Sequence, residues 1–305
     1  MDFSWSEEQL AFKRRVIDFA QTLNGNMVER DHQGKFSWEN WRRCAEFGIQ
    51  GMCMPEAYSG APALDIMTAV LAMEAMGYGC EDNGLTLALN AQMWTVQILL
   101  EQFGNDDQKQ RYLPPLCQGN IIGVHALSEP NSGSDVYSLK TEAKKCEGGY
   151  ILNGRKKFVT CAPICDLALV FATLDPSLGK WGVTAFLVER SFDGFSTGPV
   201  KEKMGLRTAP FGEIFFKDCF VPEANRLGPE GAGFSFSHSS LEYDRCFNLA
   251  SELGTMERQL EKTVDYAKSR EQYGQPIGKF QSVSNRVADM KLRLETARLL
   301  LYKVA

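Results

Sequence analysis

A chain of 305 residues, 44% hydrophobic and 23% charged, is long enough for two or three packed domains. Its net charge of −5 gives no footprint for nucleic acid, and no apolar run approaches the ~20 residues a membrane helix needs, so neither partner is expected. Nine cysteines, odd in number and scattered, suit reduced thiols in a cytoplasm better than a disulfide framework.

The opening "MDFSWSEEQL" has no basic segment leading into an apolar one, so no secretory signal is expected. Ser6 followed by Gln9 is a capping-box signature that starts the first helix. "LDIMTAVLAMEAMGYG" and "LALNAQMWTVQILLEQFG" are long apolar helical patterns ending in glycine, and "YLPPL" is expected to stop the helical pattern. Residues 1–120 therefore read as a helical domain.

From 121 to 230 the period changes. "YILNGRKKFVT" predicts two strands around an Asn153-Gly154 hairpin turn. "LALVFAT", "VTAFLVE" and "EIFFKDCFVP" are further strands, rich in β-formers, so the segment reads as an antiparallel β domain. "GPEGAGF" (Gly228 to Phe234) departs from the dinucleotide-binding spacing and reads as a plain loop.

Residues 231–305 return to helix. Phe280, Val283, Val287, Met290, Leu294, Ala297 and Leu301 step by three and four, a seam suited to a bundle. The sequence stops inside that pattern without a Gly, Asn or Pro signal, which reads as an incomplete C-terminal domain. The fold class expected is α+β: helical, β, helical. The histidines (His32, His125, His238) and the close pair Cys161 and Cys165 give no metal-ligand spacing.

The helical–β–helical order without a Rossmann unit argues against ordinary nicotinamide chemistry. "ALSEPNSGSD", "FGNDDQKQRYLPPL", "GRKKFVT", "KMGLRTAPFGEIFFKDCFVPEANRLGPEGAGF" and "SREQYGQPIGKFQ" occur together and in order. With these motifs the whole chain resembles the acyl-CoA dehydrogenase family. The resemblance implies FAD as cofactor and a thioester as substrate. It places His125, Leu127, Ser128, Gly133, Ser134, Phe158 and Thr160 at the cofactor, with Ser134 also near the thioester tail. It assigns Arg270 and Tyr273 to the FAD of a neighbouring subunit and places Gln281 near the ADP end of the cofactor, and so implies a homo-oligomer, a dimer of dimers. Taken singly, Phe158 is a core strand residue, Thr160 a surface one and Arg270 a solvated helix charge.

The reaction implied removes a proton and a hydride from adjacent carbons beside a thioester. Its base must lie in a dry pocket on the substrate face. In "SSLEYDRCFN" the carboxylates Glu242 and Asp244 are two apart and do not share a helix face. The resemblance places Asp244 where a minority of the family, including isovaleryl and long-chain enzymes, carries a glutamate base, the majority having theirs further on. Asp is one methylene shorter, so weakened activity relative to Glu is expected. Glu242 and Arg245 match positions at the substrate tail or pocket mouth. Without the resemblance, all three read as a solvated helix turn with an Asp–Arg pair.

Within the family the pattern is most similar to a bacterial branch acting on aminoacyl groups held on carrier proteins. That implies oxidation of an L-prolyl thioester to a dehydroprolyl or pyrroline thioester. An acidic carrier protein would want a basic rim, and "FKRR" (Phe12 to Arg15) and "WRRC" (Trp41 to Cys44) are basic spots. A short- or branched-chain acyl-CoA dehydrogenase and a non-catalytic scaffold share these motifs and stay open, as do oxygen and an electron-transfer flavoprotein as electron acceptor.

Overall fold

The computed structural model describes residues 4–305. Helices come first: α1 (Glu7–Gln21), α2 (Met27–Gln33), α3 (Trp38–Phe47), α4 (Glu56–Ser59), α5 (Ile66–Gly79) and α6 (Asn83–Gln92). A π turn, Met93–Gln97, leads into α7 (Ile98–Phe103), and α8 (Asp106–Cys117) follows. The strands are β1 (Gly123–Ala126), β2 (Glu142–Cys146), β3 (Gly149–Thr160), β4 (Leu167–Thr173), β5 (Val183–Glu189), β6 (Phe195–Thr197), β7 (Phe211–Pro222) and β8 (Arg226–Leu227). Helix α9 (Gly233–Ser269), the short strands β9 (Glu271–Gln272) and β10 (Gln275–Pro276), and helix α10 (Gln281–Val304) complete the α+β chain.

Two compact units divide these elements. One holds residues 1–25, 65–86 and 246–305; the other holds 26–64 and 87–245.

In the first unit, Ser6 and Gln9 form the expected capping box on α1. Helix α5 is apolar on nearly every side and buried from Thr68 to Gly77, as a helix enclosed by others must be. A Cβ on Gly77 would overlap the carbonyl of Ser251, and one on Gly254 the carbonyl of Glu74, so α5 and α9 touch backbone to backbone. Arg258 donates to the carbonyls of Gly77, Tyr78 and Cys80 at 2.8, 2.8 and 2.7 Å, satisfying the end of α5. Glu74 is fully buried and accepts from Tyr302 Oη at 2.6 Å, Arg298 at 3.0 Å and Lys13 at 3.4 Å. Lys13 of the "FKRR" spot therefore turns toward a buried carboxylate. The α10 seam is the helix's less exposed side, with Leu294 and Leu301 buried, while Leu292, Leu299, Leu300 and Val304 are exposed.

The second unit is built on a sheet of order β6-β7-β3-β2-β4-β5-β8, with β1 added to β4. It is mostly antiparallel, but β1 and β2 both meet β4 in parallel, so the sheet is mixed. Strand β4 is buried at every position, which is why it reads as a continuous apolar run without alternation.

Two local expectations fail. Asn153-Gly154 makes no turn: β3 runs unbroken from Gly149 to Thr160. Gly154 instead sits at a register shift, where a Cβ would strike Thr141. The hairpin turn is Glu147-Gly148, between Cys146 and its partner Gly149. Pro114 and Pro115 likewise do not end α8, which absorbs both and runs to Cys117. Beyond them Gln118 N–H reaches the Pro114 carbonyl and Asn120 N–H that of Pro115.

Candidate active site

Strand β1 delivers the Ala126–Asp135 loop beside β3. Leu127 is buried and Ser128 half-buried, and the Ser128 carbonyl accepts from Lys157 N–H at 2.8 Å. Beneath the loop lies an ion pair that the motif reading missed. Lys156 is 0% exposed, and its Nζ lies 2.7 Å from Glu129 Oε1 and 3.1 Å from the Leu127 carbonyl. Glu129 also accepts from Thr141 Oγ1 at 2.6 Å and from the N–H groups of Lys140 and Thr141 at 2.6 and 3.0 Å. Burial opposes its charge, yet the Lys156 ammonium and these bonds hold its carboxyl below the usual carboxylate range. Burial pulls Lys156 down to about 8, opposed by Glu129. Their 2.7 Å contact is that of an ion pair.

Directly after Lys156 the β3 strand bulges. Lys156 faces Ile214 and Val159 faces Gly212, so two residues, Lys157 and Phe158, oppose one on β7. Phe158 takes a left-handed φ of 61°, uncommon for a bulky residue. The bulge turns its ring out: Phe158 is 58% exposed, stacked on Phe211 with centroids 5.9 Å apart and planes 22° apart. Lys157 Nζ lies 4.8 Å from the ring centroid. Thr160, half-buried, pairs with Phe211 two residues on. A largely exposed aromatic ring held out by strained backbone, beside the Leu127–Ser128 loop, fits a flat, mostly apolar ring with a polar edge. The sequence-predicted Leu127, Ser128, Phe158 and Thr160 thus stand on two adjoining segments, β1 with its loop and β3.

His125, expected at the cofactor, sends its imidazole to helix α9. Nε2 lies 3.5 Å from Ser240 Oγ, and the ring sits 5.2 Å from that of Phe171. Burial, then the charge of Lys156, pushes it down to about 4, so it is a neutral imidazole. Ser240 is one helical turn before Asp244, and the two share a face. Asp244 is half-buried. Gln102 ties this stretch of α9 in place by contacts to Tyr243 Oη at 3.1 Å and Ser239 Oγ at 3.1 Å.

Gly133 and Ser134 are exposed at the loop's far end. Nearby Tyr137 packs on Phe234 of α9 at 4.8 Å, Trp181 on the same ring at 5.6 Å, and Lys180 Nζ stands 4.4 Å from its centroid. His238, one turn along, lies 3.4 Å from Glu242, which is exposed, as is Arg245. Tyr137, Trp181 and Phe234 come from three separate segments with no shared motif, so spacing alone does not reveal their cluster.

In the other unit, Arg270 opens the β9–β10 hairpin. Tyr273 and Gly274 both have positive φ, 53° and 75°, the requirement of a tight two-residue turn. Tyr273 is 94% exposed, its ring 6.2 Å from Phe280, and Gln281 is exposed at the start of α10.

Three family models match in succession: acyl-CoA dehydrogenase N-terminal domain over residues 6–120, middle domain over 125–219 and C-terminal domain over 231–305. The chain is a member of the acyl-CoA dehydrogenase family. Among its relatives in the family, an L-prolyl-[peptidyl-carrier protein] dehydrogenase of Pseudomonas fluorescens is 40% identical over 99% of this chain and 80% of its own length. The structure of the prolyl acyl carrier protein oxidase AnaB superposes with a TM-score of 0.97 at 47% identity, covering 99% of this chain and 80% of that one. PigA with FAD and proline gives 0.96 at 39% identity, covering 99% and 79%. As an acyl-CoA dehydrogenase-family oxidoreductase, the chain carries its signature loop on a buried Glu129–Lys156 pair. No helix among the described residues is long and apolar enough to cross a membrane.

Proposed function

We propose that this chain is an FAD-dependent dehydrogenase of a prolyl thioester presented by an acyl carrier protein. The flavin part of this reading is carried by Phe158: in a left-handed bulge beside the Leu127–Ser128 loop, its ring stays 58% exposed despite its stacking on Phe211. The prolyl part rests on the relatives, two of which carry prolyl and carrier protein in their names while a third was solved with FAD and proline.

Phe158 and Thr160 would border the ring, and Leu127 and Ser128 would meet its edge. Bound FAD supplies a two-electron acceptor. Asp244 takes the proton from the carbon next to the thioester carbonyl, and the acyl group loses two hydrogens in all. The neutral His125 and Ser240 on the same side add no competing charge to that carboxylate. The Tyr137–Phe234–Trp181 cluster with Lys180 offers the thioester arm an apolar and cationic mouth, beside Ser134, Glu242 and Arg245. The exposed Arg270, Tyr273 and Gln281 serve a neighbouring subunit's cofactor in a cytoplasmic homotetramer. A guanidinium suits a pyrophosphate through paired charged bonds.

The test is an assay of the FAD-loaded protein against prolyl-carrier protein, isovaleryl-CoA and butyryl-CoA. The thioester mass should fall by two hydrogens for the prolyl carrier alone. Turnover of a CoA thioester in preference would make the chain a short- or branched-chain acyl-CoA dehydrogenase.

A further inference from the structure

Lys156 is a buried cation that the reaction above does not use. A lysine loses rotamer freedom and hydration when fully buried, so the position needs a reason. Its ammonium touches two groups, both in the signature loop: the Glu129 carboxylate at 2.7 Å and the Leu127 carbonyl at 3.1 Å. Glu129 in turn is fixed by Thr141 Oγ1 and by two backbone N–H groups. The same strand, one residue on, holds the Ser128 carbonyl through Lys157 N–H, and the next residue is Phe158. One strand thus grips the loop at two successive carbonyls and presents the exposed ring.

We propose that Lys156 is a positioning residue for the flavin: it locks the Leu127–Ser128 peptide and, as a fixed positive charge behind it, favours the reduced cofactor. The physical route is short. An ammonium on the Leu127 carbonyl polarises that peptide, which makes the Ser128 N–H on its other side a stronger donor. If the Ser128 N–H met the edge of a bound flavin, it would stabilise the extra negative charge of the reduced form more than the oxidised form. Glu129 keeps the lysine ionised and oriented, and Lys156 is shut off from bulk solvent, which weakens screening of its charge. The inference rests on the flavin reading above.

The variant Lys156→Met/Glu129→Gln removes both charges and keeps one carbonyl acceptor, for the Thr141 N–H and hydroxyl, while its amide nitrogen takes the side that faces the Lys140 N–H. Without FAD it should melt within a few degrees of the wild type, since exchanging both members of a buried pair is tolerated. It should bind FAD at least tenfold more weakly. The reduced cofactor should lose about tenfold more affinity than the oxidised, a potential lower by about 30 mV for two electrons. A folded double variant with unchanged FAD affinity and potential overturns the proposal. Thr141→Val, nearly isosteric, removes only the hydroxyl bond to Glu129 and serves if the double variant does not fold. It should raise the FAD dissociation constant severalfold, and an unchanged constant overturns the proposal as well. Wild-type protein that takes up no FAD would instead refute the flavin reading itself.

Discussion

Tyr302 donates to Glu74 across 2.6 Å, at the centre of a helical unit from which Glu74 is wholly shut off from water. Arg298 completes the charge balance, reaching Glu74 at 3.0 Å and Glu257 at 2.8 Å. Removing the arginine leaves a buried carboxylate with only a phenol and a longer lysine contact. Arg298→Leu should therefore destabilise the protein by about 3 kcal/mol, read as a lower denaturant midpoint. A change within 0.5 kcal/mol would mean that Lys13 and Tyr302 suffice.

Phe158 predicts a trade between stability and binding. Its left-handed φ costs roughly 1–2 kcal/mol for an L side chain and nothing for glycine. Phe158→Gly should raise the unfolding free energy of the FAD-free protein by about 1 kcal/mol, less what glycine's unfolded-state freedom takes back. The same substitution should weaken FAD binding, because the aromatic face is gone. Titration with FAD and urea unfolding of the apoprotein measure the two halves separately.

His125 sets a pH dependence whose sign follows from its depressed value. The unfolded chain binds a proton near the ordinary 6.5 and the folded chain only near about 4. Between these values the unfolded state holds more protons, so stability is complete above 6.5 and falls as the pH drops toward 4. The loss can reach about 3 kcal/mol. His125→Gln should flatten the unfolding free energy over that window relative to the wild type. Equal slopes would place the imidazole in contact with water.

Much of the architecture is legible locally. The Ser6–Gln9 capping box, the α10 seam and the buried run of β4 each follow from a short pattern with one physical cause. Asn153-Gly154 misleads because a two-residue turn signal carries no information about the partner strand. Here the glycine is required by close approach to Thr141, and the turn belongs to Glu147-Gly148. The signature loop is readable as a motif, but its support is not. Glu129 and Lys156 are 27 residues apart, and it is the tertiary placement of the loop after β1 against β3 that brings them together. A lysine among the three cations of "GRKKFVT" gives no sign that the middle one points inward. The aromatic mouth is hidden for the same reason, being assembled from two loops and a helix end.

Asp244 carries the chemistry in this account, and single-turnover cofactor reduction tests it most directly. Prolyl-carrier protein mixed anaerobically with FAD-loaded protein should bleach the flavin absorbance. Asp244→Asn should keep FAD bound and slow that bleaching about 10²–10⁴-fold, the range for loss of a general base. Asp244→Glu, which restores the missing methylene, should bleach faster than the wild type. Bleaching of Asp244→Asn at the wild-type rate would contradict the account and remove this carboxylate from the reaction.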